Sequence, residues 1–246
     1  MDVVLIHSGV TDSREWDEVA PLLAERHQIH APDRPGSGTT PLEPGELSLA
    51  DVVLSLGFER AALVGTSFGG RAVLEAALEA PQRVAALVLV SANTFGWSDE
   101  VKAIGEKEDE LFEAGEFDEA AELMVVSWLA GPHRDPEAVD ATLRERVHEM
   151  AVRSYELQRG VDVSVKRIEI EPSRIAQPTL LIRGALDFED VARASARFLD
   201  ELPNARDVVF DDCAHLPALE QPERFARVVL EFLDGVLRKG VESRTG

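Results

Sequence analysis

Short apolar runs recur along the chain at Val3–Ile6, Gln28–Ala31, Ala62–Gly65, Val84–Val90, Thr179–Arg183 and Asp207–Phe210. Each is bounded by glycine, proline or charge, and most gaps between them carry amphipathic helical patterns. Continuous apolar runs mark strands buried on both faces. Their alternation with helices predicts an α/β fold with a parallel sheet covered on both sides. The alternation breaks once. Between Asn93 and Pro178 the pattern predicts no strand, only helical segments at Asp99–Glu113, Glu116–Leu129 and Pro136–Gln158, separated by Gly115 and by Gly131-Pro132. Helices inserted between two core strands predict a lid over residues 94–171, with 1–93 and 172–246 forming the core. Trp97, Phe117, Met124 and Trp128 supply its apolar underside. Phe117 and Met124 are assigned to packing between lid helices, and Trp128, ahead of the Gly-Pro break, to a pocket wall.

One junction between strand and helix carries chemistry. The run Ala61-Ala62-Leu63-Val64 enters Gly65-Thr66-Ser67-Phe68-Gly69-Gly70 and leaves directly into the helical pattern Arg71–Ala80. A serine on so tight a turn needs glycines on both sides. That geometry lifts its hydroxyl off the sheet and aims the first N–H groups of the next helix at whatever binds there. Ser67 is thus the predicted nucleophile and the Phe68 N–H half of an oxyanion hole.

A serine nucleophile needs a base to take its proton and an acid to hold that base in the right tautomer. In open α/β sheets both belong at the carboxyl ends of strands. His215, in Asp211-Asp212-Cys213-Ala214-His215-Leu216-Pro217, follows the last predicted strand and every plausible acid. Asp187 closes the segment Leu180–Asp187 just past a strand; Asp190 is the expected N-cap of the next helix, and Glu189 and Asp190 are reserve acids. The order Ser67, Asp187, His215 is the one expected for this elbow. The second oxyanion donor is placed at Gly9, in the loop that ends Val3–Ile6. His7 precedes the nucleophile and is expected to brace that loop. Ser37, in Asp33-Arg34-Pro35-Gly36-Ser37-Gly38, is followed by a Pro-rich stretch instead of a helix, so it is read as a structural turn. Ser8, Trp128 and Leu216 are assigned to substrate contact.

Composition narrows the function further. A chain of 246 residues buries roughly 70–75% of its unfolded surface, enough for one α/β domain with an inserted subdomain. The formal net charge of -21 opposes attraction to phosphate backbones and anionic bilayers, which argues against nucleic-acid and membrane partners. Cys213 is the only cysteine. No intrachain disulfide or thiolate metal cluster follows, and Cys213 is expected to be a small buried hydrophobe. No stretch reaches the length of a membrane span, and Met1-Asp2-Val3 lacks the basic start of a signal peptide. With Met1 as the natural start, a cytoplasmic enzyme is expected. Oligomeric state is not legible.

With these parts in place the chain resembles the α/β-hydrolase superfamily along nearly its whole length. The matching landmarks are His7-Ser8-Gly9, Trp16, Asp33–Gly38, Gly65–Gly70, Gly184–Asp187, and Ala214–Pro217 with Glu220-Gln221-Pro222-Glu223. The resemblance implies a serine hydrolase with a helical cap, similar to small bacterial esterases and enol-lactonases. Such an enzyme is expected to act on a small-molecule carboxylic ester or lactone and to need no metal or organic cofactor. C–C bond hydrolysis, cofactor-free perhydrolysis and a non-enzymatic ligand sensor use the same fold and are the alternatives. Two departures stand out. Ser8 replaces the usual glycine of the oxyanion loop, where it narrows the entrance or adds a hydroxyl donor. The usual N-terminal hairpin is missing, so a six-stranded, all-parallel sheet is expected.

Overall fold

The computed structural model of the protein describes the backbone of residues 1–245 and the side chains of residues 1–238. Strands β1 (Asp2–Ile6), β2 (Gln28–His30), β4 (Ala61–Thr66), β5 (Val84–Val90), β7 (Thr179–Gly184) and β8 (Ala205–Phe210) form one sheet in the order β2-β1-β4-β5-β7-β8. Every pairing in it is parallel. The expected six-stranded parallel sheet is therefore present.

Alternation along each strand divides the core in two. Val4, Ile6, Leu63, Leu87, Leu89 and Leu181 face α2 (Leu49–Leu54), α3 (Phe68–Glu79) and α7 (Glu189–Glu201). Val3, Leu5, Ala62, Val64, Val88, Leu180 and Ile182 face α1 (Val19–Ala24) and α9 (Pro222–Thr245). Each fully buried aliphatic side chain contributes about 1.5–3 kcal/mol relative to exposure. Two such layers hold the strand ends in register.

Between β5 and β7 lie α4 (Asp99–Ala114), α5 (Phe117–Met124), a single π-helical turn (Val125–Ala130) and α6 (Ala141–Gln158). Ser98 caps α4 by accepting the Val101 N–H, and Gly115, at φ 77°, ends it in the left-handed region. Met124 and Phe117 pack with Leu111, Ala121 and Tyr155 inside the insert, as expected of packing residues.

One expectation is overturned. The insert also contains a strand, β6 (Val163–Lys166), which pairs in parallel with β3 (Gly45–Ser48) in a separate two-stranded sheet. Both strands are short and half exposed. Their stability comes from a partner far away in sequence, which propensity does not register. The pairing stitches the end of the insert to the core. No helix among the described residues is long and apolar enough to cross a membrane.

Candidate active site

Ser67 sits between β4 and α3 with φ 52° and ψ -109°, a conformation a non-glycine residue adopts only under strain. Such strain costs about 1–3 kcal/mol and persists where the surroundings impose it. Here they do. The Ser67 N–H donates to the Val90 carbonyl at 2.8 Å. A Cβ at Gly69 would lie 2.2 Å from the Ile6 carbonyl oxygen and one at Gly65 would lie 2.3 Å from the Gly69 carbonyl oxygen. Only glycine lets the start of α3 press against the end of β1.

Asp187 follows β7, and His215 lies in the loop after β8. The His215 Nδ1–H donates to Asp187 Oδ2 at 2.7 Å, with both side chains 2% exposed. The other carboxylate oxygen accepts the Phe188 N–H at 2.8 Å. With the proton on Nδ1, Nε2 presents a lone pair. Gly184 permits this crossing of loops, since a Cβ there would lie 2.0 Å from the Ala214 carbonyl oxygen and 2.1 Å from that of Cys213. The Ala214 N–H donates to Glu220, which is paired at 2.7 Å with Arg134. Arg134 in turn donates to the carbonyls of Leu129 and Ala130, so the end of the π turn is fastened to the histidine loop. The His215 N–H donates to the Trp128 carbonyl.

A cavity of about 470 Å³ opens between the sheet and the insert, and Ser67, Phe68, Trp97 and Trp128 line it. The Trp128 ring lies 4.5 Å from the His215 ring, centroid to centroid, and meets Trp97 edge-on at 5.7 Å. Trp128 therefore joins the cavity wall to the histidine. Lys102, Arg167 and Glu108 also line this space. The Ser67 hydroxyl makes no hydrogen bond among the described residues; in unliganded enzymes of this kind the contact between nucleophile and base commonly tightens only with substrate bound.

The other predicted residues divide. Gly9 is exposed, and a Cβ there would lie 3.8 Å from Phe68 Cβ, so the two predicted oxyanion donors belong to neighbouring residues. Ser8 is fully buried, and its hydroxyl is shared with Thr11 at 2.9 Å. It does not line the cavity, contrary to expectation, because polar groups below the loop draw it inward. Leu216 is also fully buried, packed with Val125, Leu129 and Val147, and it supports the insert instead of facing substrate. Asp190 does not cap α7; Phe188 holds that position. Asp190 instead accepts the N–H and hydroxyl of Ser98, tying the start of α4 to the core. Glu189 is exposed. Ser37 occupies a tight turn closed by its bridge to Thr40. Cys213 is fully buried, and burial pushes its thiol up to about 12, which leaves it inert.

A buried polar layer beneath the first loop was not visible in the sequence. Glu15 is enclosed and accepts hydrogen bonds from the Ser8 N–H at 2.9 Å, the Thr11 hydroxyl at 2.5 Å and the Thr66 hydroxyl at 2.5 Å. Burial raises its carboxyl above the usual range despite these donors. Arg34, also enclosed, donates to the Ser8 carbonyl at 2.7 Å; burial brings its guanidinium down to about 10, with Glu15 and Asp33 opposing that fall. His7 braces the loop as expected. Its Nδ1–H donates to the Ser8 carbonyl at 2.9 Å and its Nε2 accepts the Arg34 N–H at 3.0 Å. Burial, then the neighbouring Arg34, holds His7 well below the usual histidine range. Glu15 stands next to Trp16 with no periodicity to single it out, and only the folded layer reveals its partners.

The profile of the family described as alpha/beta hydrolase fold matches residues 2–222. The chain is similar to the pimeloyl-(acyl-carrier protein) methyl ester esterase of Aeromonas hydrophila subsp. hydrophila, at 29% identity over 94% of this chain and 95% of the relative. The protein of that name from Pectobacterium carotovorum subsp. carotovorum is 32% identical over 94% of this chain and 93% of its own. Among solved structures, a thermophilic esterase from Thermogutta terrifontis superposes with a TM-score of 0.76 at 21% identity, covering 96% of this chain and 90% of that one.

Proposed function

This chain belongs to the alpha/beta hydrolase fold family, and we propose that it is a serine hydrolase cleaving a small carboxylic ester or lactone. The observation that carries the reading is the buried 2.7 Å bond between Asp187 and His215, set beside a cavity lined by the strained Ser67. Ser67 Oγ attacks the carbonyl carbon while His215 Nε2 takes its proton. Asp187 keeps Nδ1 protonated and balances the imidazolium that forms. The oxyanion is held by the N–H groups of Gly9 and Phe68, each worth about 10²–10³ in rate. Collapse of the tetrahedral intermediate expels the alcohol, protonated by His215, and leaves Ser67 acylated. Water activated by the same histidine then releases the acid. In a lactone the alcohol stays tethered and the product is a hydroxy acid. The chemistry asks only for a nucleophile, a base and backbone donors.

We assign residues 94–171 the role of a cap that walls the cavity, shields the oxyanion from water and selects substrate by size, with 1–93 and 172–246 as the catalytic core. Trp128 is the cap residue placed against substrate. The relatives are named for cleaving an ester, the bond class proposed here. The net charge of -21 favours a small-molecule substrate over nucleic acid or membrane, and we place the enzyme in the cytoplasm.

The test is hydrolysis of a chain-length series of p-nitrophenyl esters and of lactones by the wild type and by Ser67→Ala. The wild type is expected to turn over at least one series, and Ser67→Ala to lose about 10⁶ in kcat. A variant that keeps most of the activity removes Ser67 from the mechanism.

A further inference from the structure

We propose that Arg34 is a positioning residue that aims and polarises the oxyanion hole from behind. The inference rests on the serine-hydrolase reading and adds to it a residue outside Ser67, Asp187 and His215. The Ser8 carbonyl and the Gly9 N–H are two ends of one peptide group. Across a trans peptide they point in opposite directions. The carbonyl end is gripped inside the protein by Arg34 Nη2 at 2.7 Å and by His7 Nδ1 at 2.9 Å. The Gly9 N–H must therefore point away from that layer, on the side where Gly9 is exposed and Phe68 adjoins it.

Direction is half of the effect. Two donors on a carbonyl oxygen, one of them charged, draw electron density from the peptide and strengthen the N–H at its other end as a donor. The same guanidinium lies over the Phe68 ring, 4.7 Å from its centroid. One buried cation thus touches the peptide group that carries one donor and the side chain of the residue that carries the other. Glu15 completes the arrangement. It holds the Ser8 N–H at 2.9 Å, so the peptides on both sides of Ser8 are fixed, and it opposes the cost of enclosing Arg34. Its link to the Thr66 hydroxyl ties the loop to the residue before the nucleophile. This layer also explains where Ser8 goes, since its backbone is used on both sides and its hydroxyl turns inward to Thr11.

The experiment compares wild type, Arg34→Met and Arg34→Lys, with competent sites counted by labelling Ser67 to completion with a fluorophosphonate. Two quantities are then measured per labelled site: kcat and KM on p-nitrophenyl acetate, and the inhibition constant of an aryl trifluoromethyl ketone, which adds Ser67 to form a tetrahedral oxyanion. The N–H itself survives the substitution but its aim and polarisation do not, so a part of one donor's value should be lost. Arg34→Met is expected to lower kcat per site by about 10–100-fold with KM little changed. Ketone affinity should fall by the same factor, and Arg34→Lys should recover part of both. A purely structural role would reduce the number of labelled sites and leave each survivor at its wild-type rate; that outcome overturns the proposal, as does a fall in kcat with unchanged ketone affinity. Should Arg34→Met fail to fold, Arg34→Lys carries the same test, with parallel partial losses in support and wild-type values against. A wild type that turns over ester without being labelled at Ser67 defeats the serine-hydrolase reading itself.

Discussion

Replacing Asp187 by Asn probes the proposed mechanism most directly, because the surrounding hydrogen bonds decide how the new amide must lie. In the wild type one carboxylate oxygen accepts the Phe188 N–H at 2.8 Å and the other accepts His215 Nδ1–H at 2.7 Å. An Asn that keeps its oxygen on Phe188 turns its NH₂ toward His215. Nδ1 must then accept, the ring proton moves to Nε2, and no lone pair is left for Ser67. The opposite orientation restores the correct tautomer but sets NH₂ against the Phe188 N–H. That leaves a buried donor unsatisfied at about 1–3 kcal/mol, which makes the competent orientation roughly tenfold to a hundredfold rarer. Even then the imidazolium formed during attack faces a neutral amide, and a charge-assisted bond of about twice the neutral strength is gone. The two losses together place the fall in kcat near 10⁴. The assay is p-nitrophenyl ester hydrolysis per fluorophosphonate-labelled site, beside thermal unfolding. The lost bond should lower Tm by no more than about 10 °C, from about 2–4 °C per kcal/mol at this size. A folded Asp187→Asn enzyme with more than a tenth of wild-type kcat would refute the assignment.

Three further outcomes are expected. Trp128→Ala enlarges the cavity beside Ser67 and should shift the preference between short and long acyl chains by about tenfold while acetate hydrolysis persists; an equal loss on every substrate would make the residue packing alone. Gly184→Ala sets a Cβ against the carbonyls of Cys213 and Ala214 and should displace His215, lowering kcat by about 10² for a shift near 1 Å; unchanged kinetics would show that the loop absorbs the methyl group. His7 stays neutral in the fold below the point where the unfolded chain protonates it. The unfolded state therefore gains the proton first, and stability should fall as pH drops below about 6.5, by up to about 1.4 kcal/mol per unit. Urea unfolding at pH 7 and 5.5 isolates this contribution as the difference in slope between the wild type and His7→Gln, and equal slopes would disprove it.

The strand runs and the elbow are legible in the chain because their causes are local. Short continuous apolar runs bounded by glycine, proline or charge, a serine between glycines and a helix directly after it specify backbone shape within a few residues. Asp187 and His215 were readable as well, since a parallel sheet sends the ends of β7 and β8 to one edge and chain order leaves few candidates. The β3–β6 pair was not, although Val163 and Val165 alternate with Ser164 and Lys166, because a four-residue strand forms only when a partner is supplied from across the molecule. The same limit governs Ser8, Leu216 and Asp190. Their residue types suit substrate contact or capping, and the fold uses them for burial and fastening. Glu15 and Arg34 mark the boundary most clearly. A charged residue carries no periodic signal, and whether it meets water or a ring of donors depends on which loops close over it. Residue order determined the sheet, the elbow at Ser67 and the strand ends that bring Asp187 to His215; tertiary packing alone decided which polar groups were shut inside, because desolvation and hydrogen-bond pairing are properties of surfaces brought together from distant parts of the chain.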